Sequence, residues 1–243
     1  MKVEEWGYTN PVVSYLYGRP PLVWKDMRVQ LVVYETGIEN VRRVVPEPME
    51  PRTNIVITWV SEFELGTTQG AFKEAAIYVQ VKHGGVEGDY EPFLYVNSHL
   101  PLTGGREIWG YQKKMADIGL YYEYEAVRGQ VNRLGHQIIK ALVVPEYEAN
   151  MAEVPWSTGG VFSLKYIPSA EVDGEALRQL VRYTAWLADT DSACTGCSDQ
   201  SSSCDGTLGT SCGTANDTRQ YQSGACYNTG SNWVCIGWRC TCN

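Results

Sequence analysis

Apolar and β-branched residues recur along this chain in short runs, most of them of strand length. The first is Val29-Gln30-Leu31-Val32-Val33-Tyr34, followed by 54–60 with Ile55, Val56, Ile57 and Trp59, then 76–82 with Ile77, Tyr78, Val79 and Val81, then 93–96. Runs of this kind, bounded by Gly, Pro and Asn, predict strands. A hairpin is predicted from 120–127 and 130–133 around Arg128-Gly129, with further strands over 138–144, ended by Pro145, and 161–167. Helical spacing is scarce. Gly37 opens a short helical turn through Ile38, Val41 and Val44 that Pro46 and Pro48 end, and Leu177, Leu180, Val181, Thr184 and Leu187 predict a helix over 175–188. Many strands and few helices indicate an antiparallel, β-rich α+β domain, closed or nearly so.

Composition narrows the function classes. The chain has 243 residues, 44% of them hydrophobic, which is ample for a core. A net charge of -8 without a Lys/Arg stripe argues against nucleic acid or an anionic membrane surface as partner. No run approaches the length of a membrane span, and Met1-Lys2-Val3-Glu4-Glu5-Trp6-Gly7 lacks the apolar core of a signal peptide, so a cytoplasmic protein is expected. His83, His99 and His136 show no ligand spacing, and no metal site or diffusible cofactor is implied by the domain.

The candidate chemistry lies in Gly104-Gly105-Arg106-Glu107-Ile108-Trp109-Gly110-Tyr111-Gln112-Lys113-Lys114. Two adjacent lysines among glycines and aromatic residues are suited to an apolar pocket, where burial and a like-charged neighbour both disfavour the ammonium form. A neutral amine condenses with a carbonyl to give a Schiff base, whose iminium accepts the electrons of a breaking bond. Adjacent strand residues point to opposite faces, so both lysines serve one site only from a loop or helical turn.

Gly105-Arg106-Glu107 followed by Tyr111-Gln112-Lys113-Lys114 resembles the active-site segment of the acetoacetate decarboxylase family. Three further blocks agree in order: Val44 to Glu50, Gly85 to Tyr90 with Leu94-Tyr95-Val96 behind it, and Leu164 to Pro168. The resemblance covers roughly 15–183 and implies a cone-like, closed β-barrel with small helices and a lysine in an apolar cavity. It implies Lys113 as the Schiff-base lysine, Lys114 as the neighbour that perturbs it, and Glu74, within Phe72-Lys73-Glu74, as a cavity glutamate for proton transfer. Arg106 and Glu107 are expected to pair and shape the loop. A small-molecule carbonyl substrate and a homo-oligomer are implied, and over 175–188 the resemblance implies strand instead of helix.

Departures from the family pattern matter as much. The arginine that recognises a substrate carboxylate falls at Met27, with Arg28 beside it; the second cavity glutamate falls at Trp59, with Glu62 as a substitute; and Gln112 stands where proline is usual. Substrate-binding candidates are therefore Arg28, Trp59, Trp109 and Tyr111. Without the carboxylate clamp, the lysine chemistry is left for a larger or uncharged carbonyl compound, whether in a decarboxylase or an aldolase-dehydratase.

All 8 cysteines fall in the last part of the chain: Cys194, Cys197, Cys204, Cys212, Cys226, Cys235, Cys240 and Cys242. The shift to Gly, Ser, Thr and Asn marks a boundary, with a decarboxylase-like domain over 1–188 and a cysteine-rich appendage over 189–243. An even count suits disulfides of open connectivity, while Cys194-Thr195-Gly196-Cys197 and Cys240-Thr241-Cys242 also suit zinc or an iron-sulfur cluster. The tail is similar in part to the methylamine dehydrogenase light chain, in Ala225-Cys226-Tyr227-Asn228 and Arg239-Cys240-Thr241-Cys242-Asn243, without assigning its quinone cofactor to Trp233 or Trp238. Modified-peptide precursor chemistry, with Ser and Thr cyclised onto cysteines, is a further alternative. The rival to an enzyme is a non-catalytic scaffold or leader that presents this tail.

Overall fold

The computed structural model describes residues 2, 7–18, 24–66, 70–124, 126–144 and 154–189, together with 221–228 and 233–242; for 24–26, 64–66, 184–189, 221–228 and 233–242 it describes the backbone alone. Cys194, Cys197, Cys204 and Cys212 lie outside the described residues, and so do the side chains of Cys226, Cys235, Cys240 and Cys242.

Four of the predicted strand runs lie within longer strands, β1 (Trp24–Glu35), β2 (Glu50–Gly66), β3 (Phe72–His83) and β4 (Val86–Val96), and the run 161–167 is itself β9 (Val161–Ile167). The short helix after Gly37 is α1 (Ile38–Arg42), with Val41 buried beneath it. A second helix, α2 (His99–Gly104), runs into one π-helical turn, Gly105–Trp109, before β5 (Lys113–Met115). Then come β6 (Asp117–Glu123), β7 (Ala126–Arg133) and β8 (His136–Val143), and after β9 come β10 (Leu177–Asp189), β11 (Tyr221–Asn228) and β12 (Trp233–Cys242).

The main sheet has 9 strands in the order β1-β2-β3-β4-β9-β10-β12-β11, with β5 paired to β4. Among the described residues no ladder joins β1 to β11, although these two edge strands lie beside each other, and the fold is a β-rich α+β fold in which no closed barrel is found. A separate sheet, β6-β7-β8, lies across it: Ile118, Leu120 and Val131 pack on Val60 and Ala75. The opposite side of β2 and β3 faces a core of Met27, Phe63, Phe72, Val96, Trp109 and Tyr183. Among the described residues no helix is long and apolar enough to cross a membrane.

Two expectations about elements are corrected. The helix predicted over 175–188 is β10, which pairs with β9 from Leu177↔Ile167 to Tyr183↔Val161 and with β12 from Val181↔Cys242 onward. Val181 and Tyr183 are buried while Arg182 between them is not, the period of two that a sheet imposes, and two flanking ladders satisfy the backbone better than an isolated helix would. The hairpin turn predicted at Arg128-Gly129 is instead at Tyr124, whose φ is 55°, and Gly129 lies inside β7. Gly129 is required there by close approach, since a Cβ would stand 2.2 Å from Gln30 Oε1 and 3.2 Å from Val60.

Candidate active site

Lys113 comes to the interior because of what precedes it. The π-helical turn is closed by Gly110 at φ 77°, a left-handed conformation that suits glycine, and Ser163 Oγ of β9 donates to the Trp109 carbonyl at 2.5 Å. The chain then enters β5 beside β4, with Lys113 opposite Leu94 and Lys114 opposite Tyr95. On this strand the two lysines face opposite ways: Lys113 is 7% exposed, whereas Lys114 is exposed. The expected role of Lys114 as a desolvated neighbour therefore has no geometric basis.

The partner of Lys113 is Glu74, the glutamate singled out in Phe72-Lys73-Glu74. Lys113 Nζ lies 2.8 Å from Glu74 Oε2, 5.2 Å from the centre of the Tyr111 ring and 5.9 Å from that of Phe72. Glu74 is fixed by its strand: it faces Ser61 of β2 in register, and the Ser61 hydroxyl donates to its carbonyl at 3.3 Å while accepting from Trp59 Nε1 at 2.6 Å. Gly105 leaves room for the lysine stem, since a Cβ there would lie 2.8 Å from Lys113 Cδ and Cε.

A second carboxyl in this site was not anticipated. Glu91 of β4 is 5% exposed; the Tyr183 hydroxyl donates to its Oε1 at 3.0 Å, and among the described residues its Oε2 has no hydrogen-bond partner. Burial, then the Glu74 charge, push its pKa up to about 7, against the Tyr78 and Tyr183 hydroxyls and the Lys113 charge that favour the carboxylate. The same burial, with Glu91 beside them, raises the Tyr78 and Tyr183 phenols well above their usual range. The sequence carried no distinctive signal for it, since Glu91 is the third acid of its strand after Glu87 and Asp89.

The remaining candidates divide between the two faces of the sheet. Met27 is buried in the core around the site, and Trp59 and Tyr111 pack against it with buried Trp109. Arg28 is exposed on the other side of β1, with its guanidinium 5.5 Å from the Tyr122 ring centre, so it does not stand in for the missing arginine. Glu62 pairs with Lys73 at 2.5 Å, their registered positions being one residue along from Ser61 and Glu74, so it does not supply the second carboxyl either. Arg106 and Glu107 engage other groups: Arg106 donates to the Lys113 carbonyl at 3.4 Å, while Glu107 accepts from Tyr17 at 2.5 Å and Thr9 at 3.2 Å. Gln112, in the usual proline position, donates its side-chain amide to the Tyr90 hydroxyl.

An aromatic wall completes the surroundings. Trp156 stands edge-on to Tyr78 at 5.0 Å and to Trp59 at 6.4 Å. Its loop is pinned by Asp89, whose carboxylate accepts from Ser157 N at 3.0 Å and Ser157 Oγ at 2.9 Å, and by Gln80, which donates to the Pro155 carbonyl at 2.5 Å. Among the described residues, no group of three or more His, Cys, Asp and Glu is placed to hold a metal ion.

Comparison with known proteins agrees with the segment around Lys113. The family model described as acetoacetate decarboxylase (ADC) matches residues 9–198. An acetoacetate decarboxylase of Burkholderia mallei (strain NCTC 10229) is 29% identical over 192 residues, covering 75% of this chain and 74% of its own. Among solved structures, the acetoacetate decarboxylase of Legionella pneumophila subsp. pneumophila str. Philadelphia 1 is 28% identical with a TM-score of 0.65, covering 76% of this chain and 77% of its own. An enduracididine biosynthesis enzyme, solved with the condensation product of pyruvate and imidazole 4-carboxaldehyde, is 13% identical with a TM-score of 0.59 over 97% of this chain and 94% of its own, a likeness of fold alone. The chain belongs to the acetoacetate decarboxylase family.

Proposed function

We propose that this protein is a Schiff-base-forming lyase that acts on a β-keto acid or related carbonyl compound, as a decarboxylase or an aldolase-dehydratase. The observation that carries this reading is the buried ion pair of Lys113 and Glu74 at 2.8 Å. A buried pair is an expensive way to gain stability, and a lysine that can hand its proton to a touching carboxylate is equipped to react. Proton transfer along that contact leaves a neutral amine. The amine adds to the carbonyl carbon, the carbonyl oxygen leaves as water, and the resulting iminium takes up the electron pair of the carbon-carbon bond that breaks. Glu74 gives the proton it took from Lys113 to the departing water and, once reprotonated from solvent, is placed to protonate the enamine. The aromatic rings around Nζ keep water from competing.

Borohydride trapping tests this. The protein is incubated with acetoacetate, pyruvate and simple aldehydes, reduced, and mapped by peptide mass; the expected adduct is on Lys113, and Lys113→Ala is expected to abolish both adduct and turnover. A folded protein that gives no adduct at Lys113 with any carbonyl would remove the reading.

A cytoplasmic location, a homo-oligomer and a cysteine-rich appendage over 189–243, whose β11 and β12 extend the main sheet, belong to the same proposal. Its eight cysteines suit four disulfides, each of which lowers the intact mass by two hydrogens. Intact-mass and light-scattering measurements test the bridges and the oligomer.

A further inference from the structure

We infer that the Lys113 site accepts an uncharged carbonyl compound bearing a hydrogen-bond donor near the carbonyl, not a carboxylate-bearing one, and that Glu91 receives that donor. The inference rests on the Schiff-base reading of Lys113 and narrows it: of the two substrate classes it keeps the related carbonyl compound and drops the β-keto acid, and of the two reactions it keeps that of the aldolase-dehydratase.

Three observations converge. First, Met27 and Trp59, apolar side chains around the site, occupy the positions at which the resemblance puts the carboxylate-recognising arginine and the second glutamate. Second, among the described residues Lys113 is the sole cation in contact with Glu74 and the sole one acting on Glu91. The amine's conversion to an iminium keeps that single positive charge, so a substrate carboxylate would be a third acid beside one cation, in surroundings too dry to screen it. Third, Glu91 Oε2 is buried and lacks a hydrogen-bond partner, a cost that a donating ligand removes. While Glu91 is ionised, a hydroxyl or amine on the substrate meets that need and a carboxylate does not.

The charged and titratable groups acting on Glu91 are Glu74 and Tyr78 from β3, Lys113 from β5 and Tyr183 from β10. Glu91 is raised to about 7, so its negative charge develops through neutral pH and discrimination against carboxylates sharpens there.

The test uses the full-length protein and pairs of probes that share one reacting ketone. Acetoacetate and its methyl ester differ in charge; 4-hydroxybutan-2-one and butan-2-one differ in the donor. With borohydride trapping followed at the Lys113 peptide, the ester is expected to label at least about tenfold faster than the acid at pH 8, the ratio that 1.4 kcal/mol produces. The ratio is expected to fall below pH 6, and Glu91→Gln, which keeps the shape and removes the charge, is expected to flatten this dependence. Lys113 protonation affects both probes alike and cancels in the ratio. Met27→Arg is expected to favour the acid. The hydroxyketone is expected to outpace butan-2-one in the wild type and to lose that advantage in Glu91→Leu.

Equal or faster labelling of Lys113 by acetoacetate, or by acetone released from it, would overturn the inference while leaving the Schiff base intact. A hydroxyketone with no advantage in the wild type would overturn the role of Glu91 without needing any variant. If none of the four probes labels Lys113 in folded protein, the Schiff-base reading fails and takes this inference with it.

Discussion

Lys113 balances two carboxyls, and removing it exposes what that balance is worth. In Lys113→Met the volume is roughly kept, but Glu74 and Glu91 face each other with no cation between them. An uncompensated charge in such a place costs about 3–5 kcal/mol, and the cost is relieved when the acids take up protons. Urea unfolding of Lys113→Met should therefore show a large loss at pH 8 and a much smaller one at pH 5, where Glu91, with its pKa about 7, is already neutral. A loss independent of pH would mean that packing, not charge, holds the site. Lys113 and Glu74 were legible in the sequence because each sits in a local motif. Glu91 was not, because a glutamate in a strand that also carries Glu87 and Asp89 reads equally as a solvent-facing residue, and its burial depends on Tyr183 more than ninety positions away. Lys114 was misleading for the opposite reason: adjacency in sequence looked like adjacency in space, and three residues of β5 undid it.

At the scale of elements, two glycines around the π-helical turn position the lysine in different ways. A Cβ on Gly110 would lie 2.4 Å from the Cα of Lys165, in β9 backbone that cannot move aside, and would impose a side chain at φ 77°. Gly110→Ala is expected to cost at least about 2 kcal/mol of stability. A Cβ on Gly105 meets chiefly the flexible stem of Lys113, at 2.8 Å. Gly105→Ala should thus fold within about 1 kcal/mol of the wild type while its Lys113 traps carbonyl compounds more slowly. Thermal unfolding and trapping rates for the pair check this; a Gly105→Ala protein with unchanged trapping would show that the lysine has more room than its position implies. Strand runs in β1, β2, β3 and β9 were readable because each is β-branched and bounded by turn residues. β10 was not: Leu177, Leu180, Val181, Thr184 and Leu187 satisfy helical spacing as well, and what decides for strand are ladders to β9 and β12 that no local window contains. The turn at Tyr124 was hidden likewise, because Arg128-Gly129 resembles a turn dipeptide and the need for a bare backbone beside Gln30 is a tertiary fact.

Over the whole molecule, two interior acids set how stability depends on pH. Asp89 is 2% exposed and Glu91 5%, and they lie two residues apart on β4, one tying down the loop that carries Trp156, the other beside Lys113. Burial is the leading cause for both: it raises Asp89 from 3.8 to about 6, against its Ser157 hydrogen bonds and Arg52, and Glu91 from 4.5 to about 7. A group that binds its proton more tightly in the folded state stabilises that state below its unfolded pKa, and the contribution is lost as pH rises through the folded value. For Asp89 the window runs from about 4 to about 6, and for Glu91 from about 4.5 to about 7. Each shift corresponds to about 3 kcal/mol at most, a sizeable part of an ordinary domain's stability. Carboxylates elsewhere that gain from ionisation act in the reverse sense, so the wild-type curve alone does not isolate these two. The difference between proteins does: relative to the wild type, Glu91→Gln should gain stability as pH is taken from 5 to 8, and Asp89→Asn should gain over the lower window. Urea midpoints measured at half-unit intervals check both. Parallel curves for Glu91→Gln and wild type would mean that Glu91 does not change protonation there, and the pH-dependent discrimination against carboxylate substrates would have no source.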